Sequence, residues 1–266
     1  MSVADAVLLG IVEGLTELLP VSSTGHLILV DRLRGQADET AKTLEIVIQL
    51  GAVLAVAGYF RARLAALARG VVRRERGSLR LAGALLLAFA PAAIAGLAAH
   101  REIKERLFGP LPVAAALIAG GVAMVLVEAA LRRRGRVASE GIEHVTLPRA
   151  CAIGLCQCLS LWPGASRSMT TIVGGQLCGL ATKTAAEFSF LLAIPTLGAA
   201  TVYDFAIHRE LLLASPGAMT ALGVGLGVSF VVAWLVVAVF LRYVGRIGMT
   251  PFGLYRIALG IVVLLL

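Results

Sequence analysis

The chain has 266 residues, 59% of them hydrophobic and only 15% charged, with a mean hydropathy of +0.90 and a net charge of +8. A soluble domain this apolar could not cover its surface, so the composition excludes a soluble fold and predicts one polytopic membrane domain over residues 1–266. Nucleic-acid binding is not expected, because the arginines gather in two short segments between apolar runs rather than on a folded basic face.

In chain order, the first segment, about 4–30, is apolar but interrupted by Glu13 and Glu17 and then by Pro20, Ser22, Ser23, Thr24 and Gly25. Such a segment predicts a re-entrant loop whose irregular backbone is sheltered by other helices, and it has no basic leader of the kind that precedes a cleavable signal. Apolar runs of spanning length follow at about 44–60, 81–99 and 111–131. A second broken segment, about 149–180, contains Pro163, Gly164 and a group of hydroxyl residues, and further spans are predicted over 185–203, 218–241 and 250–266. The fold expected is therefore all-α, with six full spans and two re-entrant loops.

Residues 61–80 carry Arg61, Arg63, Arg69, Arg73, Arg74, Arg76 and Arg80 against the single acid Glu75, and 132–149 carry Arg132, Arg133, Arg134, Arg136 and Arg149. Taken as loops, both belong on the cytoplasmic side. Threading the spans between them puts both termini and the loops near 31–43, 100–110 and 204–217 outside. The first broken segment then enters from outside and the second from the cytoplasm, so the two oppose each other.

The residues also suggest a repeat, one copy over about 4–131 and the other over about 149–266. Glu17 to Ser23 lie over Ser160 to Ser166 without a gap, and Ala41 to Glu45 lie near Thr182 to Glu187. Each copy has three spans, an odd number, so the second is expected to be inverted relative to the first, with a site near the midplane between them.

Ionisable groups at membrane depth cost a few kcal/mol and signal function. Glu13 and Glu17 stand four apart, on one helix face, and can hold a divalent cation. Ser22, Ser23, Thr24 and His26 follow at once. The second broken segment supplies Arg167 among Ser166, Ser168, Thr170 and Thr171, a composition suited to gripping phosphate. Together these groups provide what diphosphate hydrolysis needs: a cation site, a charge acceptor for the transferring phosphoryl, and a nucleophile with its base. A serine activated by His26, water activated by His26, and His26 as acid to the leaving phosphate all remain open.

Glu13 to His26 and Pro163 to Ser168 resemble the two signature motifs of the undecaprenyl-diphosphate phosphatase family of the bacitracin-resistance type, and the remaining segments follow the same order. The resemblance implies a multi-pass enzyme of the bacterial inner membrane that converts undecaprenyl diphosphate to undecaprenyl phosphate plus inorganic phosphate. That reaction recycles the lipid carrier of peptidoglycan synthesis. It further implies dependence on Mg²⁺ or Ca²⁺, a site facing the periplasm, and a homodimer. The functional residues carried over are Glu13, Glu17, Ser22, Ser23, His26, Ser166 and Arg167, with Ser168 and Thr171 added as phosphate contacts. Met169 and Thr170 depart from the smaller residues expected after Ser168, and remove no chemical group.

Inverted repeats with broken helices also build transporters, so a lipid-phosphate flippase is the competing expectation, whether alone or combined with hydrolysis. A purely structural scaffold would not need these polar groups. Structural roles are expected for the acids Glu45 and Glu187, for Gln49, Gln157 and Gln176 as helix bridges, and for Cys151, Cys156, Cys158 and Cys178, whose spacing suits neither zinc nor a disulfide framework. His100, His144 and His208 receive no role.

Overall fold

A computed structural model describes residues 2–34, 39–107, 109–134, 138–214 and 218–265. Eleven α-helices run along the described chain: α1 (Val3–Thr16), α2 (Ser23–Arg34), α3 (Glu39–Tyr59), α4 (Arg61–Val72), α5 (Arg76–Leu107), α6 (Pro110–Arg134), α7 (Leu147–Cys158), α8 (Arg167–Leu177), α9 (Thr182–Ala214), α10 (Ala218–Ile247) and α11 (Thr250–Leu265). Two 3₁₀ turns, Ile142–His144 and Leu159–Leu161, lead into and out of α7.

Among the described residues, four helices are long and apolar enough to cross a membrane, over Arg76–Ala99, Pro110–Arg133, Thr182–Tyr203 and Met219–Ile247. A fifth crossing is counted if Ile48–Tyr59 and Arg61–Val72, bent by 71° from each other, form one broken span. The expected span at 250–266 corresponds to α11. Its 16 residues rise only about 24 Å at 1.5 Å each, against a hydrocarbon core of about 30 Å.

The arginine-rich stretch 61–80, expected as a loop, is helical: α4 occupies its first part and the start of α5 the last. Alanine, leucine and arginine are strong helix formers, so charge alone does not make a loop of them. The expected loops at 100–110 and 204–217 are likewise largely taken up by the ends of α5 and α9.

Apolar side chains point outward as well as inward. Leu86, Ile94, Leu97, Leu126, Leu235 and Val239 are all more than half exposed on the long helices, as a lipid-facing surface requires. Inside, α1 and α3 lie on α10, α7 lies on α5, α3 meets α9, and α6 pairs with α11. That last pair approaches closely at two glycines. A Cβ at Gly121 would stand 2.5 Å from the Gly253 carbonyl, and one at Gly253 would stand 2.8 Å from the Gly121 carbonyl.

Buried polar groups tie these helices together. Glu128 near the end of α6 accepts from the backbone N–H groups of Met249 and Thr250 at 2.8 and 2.6 Å, capping the start of α11, and pairs with Arg132 at 2.8 Å. Gln157 donates to the Ala88 carbonyl and accepts from Thr196, joining α7 to α5 and α9, while Gln176 donates to Thr182; both are the helix bridges expected of them. Glu187 is not simply a first-turn acid, since it pairs with Arg63 of α4 at 2.8 Å. The side chains of Ala41 to Glu45, His100 and His208 lie outside the described residues.

Candidate active site

The first broken segment starts as α1, capped by Ser2, whose hydroxyl accepts from the Asp5 N–H while the Asp5 carboxylate accepts from the Ser2 N–H. Helical spacing puts Glu13 and Glu17 on one buried face, 3% and 8% exposed. Pro20 disfavours helical geometry in the residue before it, so the chain turns over Leu18 to Val21 before α2 begins at Ser23.

The second segment is built in the same manner. After α7 and its 3₁₀ turn, Pro163 and Gly164 reverse the chain and α8 begins at Arg167. Gly164 has φ +94°, and a Cβ there would stand 2.5 Å from the Val113 carbonyl, so no other residue fits without displacement.

The residue before each helix is a serine in the left-handed region, Ser22 at φ 71° and Ser166 at φ 68°. The Ser22 hydroxyl accepts from the Gly25 N–H at 3.4 Å and the Ser166 hydroxyl from the Met169 N–H at 3.3 Å, each three residues on. In backbone terms the counterpart of Ser166 is thus Ser22 and not Ser23, one step out of register with the sequence pairing. Two non-glycine residues held at positive φ store about 1–3 kcal/mol each, strain that concentrates at functional sites.

The two segments meet directly. Ser168 donates to the Leu19 carbonyl at 2.8 Å, so the N-termini of α2 and α8 lie at one place and bring their positive dipole ends there. Between them, the Ser23 hydroxyl donates to Glu17 Oε2 at 2.7 Å, and Glu17 Oε1 faces Arg167 Nη2 at 3.9 Å. Arg167 is almost fully buried. Its Nη1 donates to the Ser189 carbonyl at 2.9 Å, yet Nε and Nη2 have no hydrogen-bond partner. Two buried guanidinium donors left open beside a carboxylate and a serine hydroxyl form a grip for an anionic ligand.

For His26, only one of the three roles open to it, base to a serine, needs a serine hydroxyl at a ring nitrogen. Its Nδ1 lies 2.7 Å from the Ser22 carbonyl oxygen and its Nε2 lies 2.7 Å from the Tyr255 hydroxyl, so neither nitrogen meets a serine hydroxyl. The Ser23 hydroxyl instead donates to the Glu17 carboxylate. The hydroxyls of the second segment stand behind Arg167. Thr171 donates to the Arg167 carbonyl at 2.8 Å and bonds the Ser189 hydroxyl at 2.7 Å, and Ser168 is shared between Leu19 and Ser166.

Three further residues touch this candidate site beyond those expected from the sequence. Ser189 supports Arg167, and Tyr255 meets His26. Arg256 is completely buried and donates to the Gly164, Ala116 and Pro20 carbonyls at 2.8, 3.2 and 3.4 Å. One guanidinium therefore ties both broken segments to α6. It has room because residue 120 is glycine: a Cβ there would stand 2.5 Å from Arg256 Nη2. A charge within the apolar run 250–266 was the available signal for Arg256. Nothing local marks Ser189 or Tyr255.

For a divalent cation, the hard oxygen donors at hand are the carboxylates of Glu13 and Glu17, a set that suits Mg²⁺ or Ca²⁺ once phosphate oxygens complete it. Among the described residues, no group of three or more His, Cys, Asp or Glu side chains gathers to hold a metal by itself.

The family model for the bacitracin resistance protein BacA matches residues 6–262. The chain belongs to this family. Among its curated relatives, the undecaprenyl-diphosphatase of Sorangium cellulosum is 65% identical over 260 residues, covering 98% of this chain and 85% of that protein. The undecaprenyl-diphosphatase of Nitrosomonas europaea is 46% identical, covering 98% and 93%, and that of Novosphingobium aromaticivorans is 46% identical, covering 99% and 97%.

Proposed function

We propose that this family member is an undecaprenyl-diphosphate phosphatase, a membrane hydrolase that removes the terminal phosphate and regenerates undecaprenyl phosphate for cell-wall synthesis. The observation that carries this reading is the Ser23–Glu17–Arg167 cluster, in which a serine hydroxyl, its carboxylate acceptor and open guanidinium donors converge at two helix N-termini. The identity to curated undecaprenyl-diphosphatases over nearly the whole chain supports the same substrate.

In the mechanism this geometry favours, Arg167 and the N-termini of α2 and α8 hold the diphosphate while its prenyl tail stays in the bilayer. Glu17 takes the proton of Ser23 as the serine oxygen attacks the terminal phosphorus. The bond from that phosphorus to the bridging oxygen breaks, and the bridging oxygen leaves with the lipid phosphate. Water then attacks the same phosphorus, its bond to the Ser23 oxygen breaks, and Glu17 returns the proton to that oxygen as inorganic phosphate leaves. Glu13 and Glu17 would hold a divalent cation, which when bound supplies neutralisation of phosphate charge. Ser166, Ser168 and Thr171 act through Arg167 by fixing the start of α8. No observation favours a pure flippase, which would have no use for the Ser23–Glu17 pair.

The surrounding architecture in this proposal is an inverted repeat with α1–α2 and α7–α8 as the opposed broken elements. Support comes from the alike serine-led starts of α2 and α8, and from packing in which α1 on α10 mirrors α7 on α5. The shorter α3 and α11 then complete six spans. Both arginine-rich segments belong to the cytoplasmic side, with the phosphatase site opening to the periplasm. Arg63 and Arg80 line a cavity of about 310 Å³ together with Ile142 and Glu143, and Arg80 donates to the Glu143 carbonyl, so the two basic segments share one end of the molecule.

The test is phosphate release from undecaprenyl diphosphate by detergent-purified protein, with and without EDTA, beside Glu17→Gln and Arg167→Ala. Release that EDTA abolishes, and that falls at least about 100-fold in each variant, is expected. A folded wild-type protein that releases no phosphate with Mg²⁺ or Ca²⁺ supplied would overturn the assignment.

A further inference from the structure

His26 uses both ring nitrogens within the protein, and the identity of the partners settles its tautomer. A backbone carbonyl only accepts, so the contact with the Ser22 oxygen at 2.7 Å requires the proton on Nδ1. In the neutral ring Nε2 is then a lone-pair acceptor, and the Tyr255 hydroxyl 2.7 Å away is the donor. The two rings also stack, with centroids 5.6 Å apart and planes 12° from parallel.

We propose that Tyr255 is a positioning residue of the phosphatase reaction, holding His26 as the neutral Nδ1–H tautomer with Nε2 as its lone-pair acceptor. This rests on the hydrolase reading above and adds to it the tautomer of His26 and the residue that selects it.

Three features of the fold make Tyr255 suited to that task. It neighbours Arg256, whose three carbonyl contacts lock α11 against both broken segments, so the phenol does not wander. The N-terminus of α11 is capped by Glu128, which holds the same half of the helix about one and a half turns before Tyr255. Finally, Tyr255 is 48% exposed while Glu17, Ser22 and Arg167 are each at most 8% exposed. Its hydroxyl therefore meets His26 at the margin of the buried cluster, not within it.

The experiment compares wild type, Tyr255→Phe and Tyr255→Ala in lipid nanodiscs, with ¹⁵N-labelled histidine; the His26 signals are assigned by their loss in His26→Gln. Wild type is expected to show a protonated Nδ1 and an unprotonated, hydrogen-bonded Nε2 at neutral pH. Tyr255→Phe keeps the ring and its stacking, so the protein stays folded, but the Nε2 signal moves and kcat falls about 10-fold with KM unchanged. Tyr255→Ala falls at least as far. Unchanged His26 signals in Tyr255→Phe, wild-type kcat in that variant, or a change confined to KM would each overturn the proposal. If wild type shows the expected His26 signals yet releases no phosphate, the hydrolase reading fails instead, and the two failures are distinguished.

Discussion

Replacing Arg256 by glutamine is the most searching test of how the two segments are held in register. Arg256 is completely buried and spreads three donations over Pro20 in the first broken segment, Gly164 in the second and Ala116 in α6. Only the Gly164 contact, at 2.8 Å, has ideal length, so it carries most of the energy. Charge-assisted bonds contribute about 1.5–3 kcal/mol each when good, and removing one partner of a buried charged contact costs about 3–5 kcal/mol. Glutamine keeps a polar head that reaches one carbonyl at most, so the upper part of that range applies to the tie and not to the whole fold. The expected result is a protein that still purifies, with Tm lowered by several degrees. Because a displacement of about 1 Å at a reacting centre costs on the order of 100-fold in rate, kcat should fall by about that factor. Phosphate release at saturating lipid and a thermal-shift assay measure the two effects. Gly120→Ala perturbs the same guanidinium from outside, since its new Cβ would sit 2.5 Å from Nη2, and it should lower kcat in the same direction. Wild-type kcat in Arg256→Gln at full stability would refute the view that this residue sets the spacing of the two half-sites.

The adjacent serines Ser22 and Ser23 should separate cleanly. Ser22 sits at φ 71° and its hydroxyl makes only a 3.4 Å cap contact, so Ser22→Gly relieves strain as it loses the cap and should keep stability within about 1 kcal/mol and most of the activity. Ser23→Ala removes the hydroxyl that Glu17 accepts and should reduce phosphate release at least about 100-fold; equal losses in both variants would refute the distinction. Gly164→Ala puts a Cβ 2.5 Å from the Val113 carbonyl at φ +94°, and should cost about 1–3 kcal/mol, seen as a lower Tm together with weaker activity.

The ingredients of the candidate site are legible in the sequence because they are local. Glu13 and Glu17 follow the helical repeat, and Arg167 is a lone charge among hydroxyls in a segment broken by Pro163 and Gly164. The pairing of groups was not legible. Sequence proximity leaves three roles open for His26, as base to a serine, as base to water and as acid to the leaving phosphate, whereas backbone geometry at the start of α2 turns its Nδ1 to the Ser22 carbonyl and leaves Ser23 to Glu17. The arginine-rich stretch 61–80 reads as a loop and folds as helix, because charge density marks sidedness in a membrane protein and says little about backbone state.

The sequence by itself determined the solvent, the all-helical class and the placement of two polar, glycine- and proline-broken segments among apolar runs. These follow from composition and from periodicity over a few residues, quantities that any chain carries before it folds. Only the tertiary structure decided that Arg256 and Tyr255 of α11 complete a site begun by residues 20, 26 and 164. Those contacts join positions 92 to 236 residues apart, and no local pattern encodes them. They exist because α6 and α11 pack closely enough at Gly121 and Gly253 to bring α11 against both segments, where unsatisfied backbone carbonyls in a low-dielectric interior make a buried guanidinium favourable.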